Sequence, residues 1–308
     1  MALTLTEGNK YSRTELAGYV IDRLAKDDPI LSVLPFESIL GNSLTYNTIT
    51  TRSGAAFYNV GDTWVESTPV LTATTAALTI LGGDADIDNF IVATRSNILD
   101  VKGQVVDDKI KAVREKYNDT FFYGTGTAPE FSGLHVLMTS TTYNTVHAGS
   151  GTGSVLSIVK LQEAIDLITG WRPTMLAMSK TMRRGINVYL DTIGDKFTAV
   201  RDDYGKLVEF FRGMKVSVSD HIKNTELAAS GAYVVGTGSD TSIFILSFDA
   251  KAACGIQGSK GVETINLGDL ENKDASRYRI RWYCGLKYED LRSCAKVDGI
   301  TAAGTVTA

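Results

Sequence analysis

The sequence predicts an α+β fold, and three stretches carry that prediction. Residues 97–126 read as one long helix, residues 41–89 as a Thr-rich β-segment punctuated by turn signals, and residues 154–194 as a helix–strand–helix unit around one core. In the first stretch Ile98, Val101, Val105, Ile110, Val113, Tyr117 and Phe121 recur mostly every three or four residues, which leaves a single apolar stripe. Asp100 is placed to cap its start, and Gly124 with Gly126 to stop it. Charged residues crowd the other faces, with Asp107 and Lys111 four apart. At the helical rise per residue it would reach about 35 Å, the width of a small domain. Other elements are expected to lie against it.

Composition bounds the function. A chain of 308 residues can bury one elaborate core or two modest ones, and 44% hydrophobic with 21% charged residues is ordinary for a folded protein. The net charge of −4 argues against a surface built to grip nucleic-acid phosphates, which needs a basic face. Cys254, Cys284 and Cys294 are odd in number and unrelated in spacing, so they fit reduced thiols of a cytoplasmic product better than a disulfide framework or a zinc site. The sequence has no basic-then-apolar signal segment and no apolar run long enough to span a bilayer, so neither standard secretion nor a membrane is expected.

In chain order, Tyr11–Lys26 has helical spacing with Ser12 as a plausible cap, ended by Asp27, Asp28 and Pro29. Ile30, Leu31, Val33, Leu34 and Phe36 form an apolar patch that Pro35 breaks too much for a core strand. It reads equally as a connector or as an arm docking on a neighbouring subunit. From Gly41 to Asn89, Thr, Val, Ile and aromatics alternate with polar residues, and Ser53-Gly54, Gly61-Asp62 and Gly82-Gly83 signal turns. The segment predicts a long two-stranded β-excursion. An isolated hairpin has little core and open edges, so this one must lie on something else.

After the long helix, residues 124–138 form a bent loop passing into a strand; the Lys of a phosphate-binding loop is missing. Gly149, Gly151 and Gly153 lead into a helix, yet without a preceding strand or partner acid they read as a solvated loop. That helix runs from Ser154 to Thr169 and is closed by Gly170; TMLAMS at 174–179 is a buried strand; Ser179 caps a third helix, Lys180–Thr192, closed by Gly194. Arg183 and Arg184 on it form a small basic pair. Residues 205–220 alternate as two strands about Arg212-Gly213, and 233–235 and 243–248 read as buried strands. Two long β-segments follow, the second alternating Tyr278, Ile280 and Trp282 against Arg277, Arg279 and Arg281, a half-buried strand with a basic outer face. CAKVDGI comes next, then a tail without core-forming pattern.

Chemistry is thin. His135, His147 and His221 have no His or Cys at ligand spacing, and no nucleophile elbow or HExxH motif occurs. Asp84, Asp86 and Asp88 would share one strand face; they read as a solvent-facing edge, with a hard-cation site as the sharper alternative. No catalytic residue, cofactor-binding residue or metal ligand is assigned, and no cofactor is expected.

The order of elements carries a resemblance. The arm, the excursion containing TWVEST, the helix ending in FFYGTGTAPEFSGL, then RPTMLAMSKTMRRGINVYLDTIG, FRGMKVSVSD, IFILSFD and YRIRWYCGLKYEDLRSCAKVDGI together resemble the major capsid proteins of tailed bacteriophages, the Hong Kong 97-type fold, across essentially the whole chain. The resemblance implies an N-terminal arm at 1–40, an extended β-hairpin loop at 41–89, a peripheral domain with a spine helix at 90–135 and 259–292, and an axial α/β domain at 136–258 and 293–308. It further implies self-assembly through pentamers and hexamers into an icosahedral head around double-stranded DNA, in a virion assembled in the host cytoplasm. DNA would be held by weak non-specific contact, and no enzymatic activity is implied. No lysine lies between Lys26 and Lys102, so the extended loop lacks the amine for the isopeptide cross-link some members make. No long charged coiled coil precedes the arm, so a separate scaffolding protein is expected, with a portal as further partner. An encapsulin-type nanocompartment is the alternative of the same fold, and an enzyme the alternative of another class.

Overall fold

The computed structural model describes residues 30–95, 101–149, 153–194, 197–201, 207–229, 232–235 and 238–307. The expected helix at Tyr11–Lys26, Ile98 and the cap at Asp100 lie outside them. The first half runs β1 (Phe36–Ile39), β2 (Ser43–Thr51), β3 (Val70–Ala77), β4 (Thr79–Asp88), α1 (Asn89–Arg95), α2 (Val101–Tyr123) and α3 (Leu134–Leu137). Then come β5 (Thr145–His147), β6 (Leu156–Ser157), α4 (Ile158–Asp166), β7 (Met175–Met178), α5 (Lys180–Ile193), β8 (Thr198–Arg201), β9 (Leu207–Phe211) and β10 (Met214–Val218). The chain closes with β11 (Glu226–Ala229), β12 (Ala232–Val235), β13 (Asp240–Leu246), β14 (Ala253–Asp269), β15 (Ala275–Tyr288), β16 (Ala295–Thr301) and β17 (Val306–Thr307).

Two sheets organise these elements. The first is ordered β1-β14-β15-β4, and α2 lies against it. The apolar stripe does this, with Val106 buried in place of the expected Val105: Val106, Ile110, Val113, Tyr117 and Phe121 are buried, and the Tyr117 ring sits 4.7 Å from that of Trp282 on β15. The helix ends at Tyr123, and position 124 is glycine because a Cβ there would collide with the carbonyl of Phe131. The second sheet follows β12-β11-β13-β7-β10-β9-β8, with β16 and β5 branching from β13. Both β7 and β13 are buried throughout, which is why β7 and the Ile243–Leu246 half of β13 are continuous apolar runs instead of alternating ones, while Asp240, Thr241 and Ser242 open β13 as buried polar residues. Leu161 of α4 and Met182 and Ile186 of α5 cover this sheet in a second core. Ser179 caps α5 through the Met182 amide, and Gly194 closes it in the left-handed conformation at φ 77°.

Several expectations are corrected. Ile30, Leu31 and Leu34 are buried in this chain's own core, and residues just beyond Pro35 form β1, paired in parallel with β14. Proline is tolerated there because it precedes the first residue of an edge strand. The two-stranded excursion ends at Ala77; residues 79–88 belong to β4 in the four-stranded sheet. Gly82-Gly83 makes no turn. At Gly82 the chain approaches β15 so closely that a Cβ would strike the carbonyl of Ile280. The segment after the bent loop is the short helix α3, not a strand. Helix α4 starts at Ile158 with Ser157 as its cap, because residues 156–157 are used in β6. The tail also pairs: β17 runs parallel to β6, and Val306 packs against the second core.

Candidate assembly interface

Strands β2 and β3 form an antiparallel hairpin paired from Ser43↔Ala77 to Thr51↔Val70. Its root is fixed. Tyr46 is 9% exposed, packs with Ile39, Ala76 and Ile256, and its hydroxyl accepts the Tyr288 amide at 3.3 Å. Burial, ahead of that hydrogen bond, pushes the Tyr46 phenol above its ordinary value.

Beyond the root the hairpin leaves the body of the chain. Ile49, Val70 and Leu71 are each 54% exposed, and Phe57, Val60, Trp64 and Val65 of the connecting loop stand almost wholly in solvent. The loop has local order: the Tyr58 and Trp64 rings stack at 4.4 Å, the Tyr58 hydroxyl accepts the Val65 amide at 3.1 Å, and Ser67 Oγ accepts the Gly54 amide at 2.8 Å. Stacked aromatics held out on a ribbon form an apolar surface of the sort that marks a protein contact.

At the other edge of the first sheet the charges are matched. Arg277 and Arg279 of β15 stand opposite Asp86 and Asp84 of β4 in register. Each guanidinium grips its carboxylate with two hydrogen bonds, 2.6 and 2.8 Å for Arg277 and 2.6 and 2.7 Å for Arg279. Arg281 reaches Glu263 of β14 at 2.6 Å. These hydrogen bonds hold all three carboxyls below the usual carboxylate range. The basic outer face is therefore an internal ion-pair ladder and no open cationic surface. The same pairing consumes two of the three aspartates offered as a cation site. Asp88, the third, accepts the Phe90 amide at 2.8 Å at the start of α1. Among the described residues no group of three or more His, Cys, Asp or Glu is arranged to hold a metal.

The other residues singled out by sequence are dispersed. Arg183 pairs with Glu209 at 3.0 Å. Cys254, Cys284 and Cys294 are buried and free, and burial raises the thiols, that of Cys294 to about 11. No helix of the described residues is long and apolar enough to cross a membrane. His147 meets Asp298, and His221 meets Asp119 at 2.9 Å. His135 is fully buried beside Glu226 and Lys296. That cluster had no signal in the sequence, since its members are scattered between positions 123 and 296 and only pairing of the sheet joins them.

No protein-family model and no curated protein matches the sequence. Its shape matches solved structures throughout. The holo-SrpI encapsulin complex from Synechococcus elongatus superposes with a TM-score of 0.67 at 14% identity, covering 91% of this chain and 89% of that one. The capsid of an empty GTA particle gives 0.64 at 11% identity, over 90% of each chain. Mycobacterium phage Adephagia gives 0.58 at 12% identity, over 91% and 90%. The chain has the Hong Kong 97-type capsid fold, α+β in content, as the order of its elements implied.

Proposed function

We propose, from that fold, that the protein is a structural subunit that closes with copies of itself into an icosahedral shell, the head of a tailed bacteriophage around double-stranded DNA. The observation that carries this reading is the hairpin. It is anchored at Tyr46, bare along its length and tipped by a Tyr58–Trp64 stack, so it needs a surface that its own chain does not supply. A second copy supplies it. When each copy lends its hairpin to the next, the contact is head-to-tail, and head-to-tail contacts close into the rings from which pentamers and hexamers are built. The proposed layout follows: 1–40 as arm, 41–89 as extended loop, 90–135 with 259–292 as peripheral domain, and 136–258 with 293–308 as axial domain. The hairpin strands proper occupy 43–77. Assembly in the host cytoplasm, a scaffolding protein and a portal belong to the same proposal, as does the absence of catalysis. A net charge of −4 suits a container that confines DNA without gripping it.

An encapsulin-type compartment enclosing protein cargo is the second reading, favoured by the similarity to the encapsulin complex. Sedimentation and nuclease protection separate the two. Shells produced in the natural host that carry nuclease-resistant DNA support the phage head, and shells filled only with protein support the compartment. A chain whose sedimentation is the same with and without the hairpin tip, residues 53–60, contradicts both.

A further inference from the structure

A line of polar side chains runs from the surface into the junction between α2 and the second sheet. It begins at half-exposed His147 of β5, whose Nδ1 lies 2.5 Å from Asp298 Oδ1 on β16. The other oxygen of Asp298 is 3.5 Å from Nζ of buried Lys296, two residues along the strand. Lys296 Nζ in turn lies 3.3 Å from His135 Nδ1 and 3.5 Å from the His135 carbonyl on α3. Across the ring, His135 Nε2 is 3.4 Å from Glu226 Oε1 of β11. Buried Glu226 also accepts the hydroxyl of Tyr123, the last residue of α2, at 2.6 Å and that of Ser242 on β13 at 2.5 Å. The Tyr123 ring stacks on His135 at 5.1 Å and Phe244 of β13 closes the ring edge-on at 5.0 Å.

The remaining charged groups around the ring are placed too. Asp240 stands opposite Glu226 in the β11–β13 ladder, and Lys223 lies over the Tyr123 ring at 5.4 Å. An ammonium has only hydrogens to offer, so the imidazole nitrogen facing Lys296 presents a lone pair and the ring proton sits on Nε2, toward Glu226. A second proton has one place to go, Nδ1, where it would point into the Lys296 ammonium. Burial, ahead of the attraction of Glu226, holds His135 below its ordinary value of 6.5, and burial lowers Lys296 as well.

We propose that His135 is an acid-operated latch: neutral, it fills the space between the Tyr123 ring at the end of α2 and Lys296 and Glu226 of the second sheet; protonated, it repels Lys296 and loosens that junction, leaving the Tyr123–Glu226 bond to hold it. The latch is a property of the single folded chain and does not depend on shell assembly. The sign follows from linkage. Unfolded chains take up the His135 proton below about 6.5 while the folded chain resists it, so its stability is complete above that pH and falls as acid is added.

The test is denaturant unfolding of the unassembled full chain between pH 8 and 5, with H135Q, which keeps a donor toward Glu226 but cannot titrate, and with H147Q and H221Q as comparators. The wild-type folding constant is expected to lose up to about tenfold per pH unit below 6.5 beyond any loss in H135Q. H147Q and H221Q are expected to follow wild type. A wild type and H135Q that run parallel through the window would overturn the latch, as would a loss that disappears in H147Q or H221Q instead. If H135Q does not fold, hydrogen exchange of the unmutated chain decides. After correction for intrinsic rates, residues 118–123 and 240–246 should lose protection on going from pH 7.5 to 5.5 while 158–166 keeps it. Uniform protection across the three segments would overturn it.

Discussion

Trp64 and Tyr58 do at the hairpin tip what buried aromatics do in a core, except that one face of the stack meets only solvent. Their energetic role is therefore separable from folding. Trp64→Ser is expected to leave the thermal unfolding of the unassembled chain unchanged while sharply lowering the assembled fraction in sedimentation, because interface energy concentrates in a few aromatic anchors. Phe121 is the opposite case, 0% exposed in the larger apolar core and in ring contact with Phe122. Phe121→Ala should cost about 3–5 kcal/mol in denaturant unfolding. Tyr46 lies between these two, since its phenol is both root and hydrogen-bond acceptor. Tyr46→Phe leaves the Tyr288 amide with one partner fewer and should cost about 0.5–1.5 kcal/mol, visible in the same experiment.

At the scale of elements, the glycines of β4 show where sequence reading reaches its limit. Gly82-Gly83 signals a turn by composition, yet the strand runs straight through because β15 comes so near that only glycine fits at position 82. At Gly83 a Cβ would first meet the flexible Lys109 side chain, at 3.1 Å. Gly82→Ala should therefore lower thermal stability clearly and Gly83→Ala far less; equal effects would show that the close approach is not what excludes a side chain. Helix α2 was legible because its apolar residues recur with one period, and β7 and the Ile243–Leu246 half of β13 because burial on both faces leaves an unbroken apolar run. The hairpin was legible as an excursion in need of a surface, though its end was set too late. Strand β1 was hidden behind Pro35, and β17 is too short to carry a pattern. Pairing across the sheets decided what local spacing could not: it turned Arg277 and Arg279 from an open basic face into partners of Asp86 and Asp84, and it assembled the cluster around His135 from five distant segments.

On the scale of the whole molecule, the described chain buries two apolar cores while leaving one long ribbon and its aromatic tip bare. A monomer so arranged exposes a surface that water does not favour, and copies of itself can cover it. The most direct measurement is negative-stain microscopy of the purified full chain, alone and with a lysate of its natural host to supply assembly partners, beside the chain lacking residues 53–60. The account predicts uniform closed shells tens of nanometres across for the full chain and none for the deletion. A full chain that stays monomeric or dimeric in every condition would contradict it.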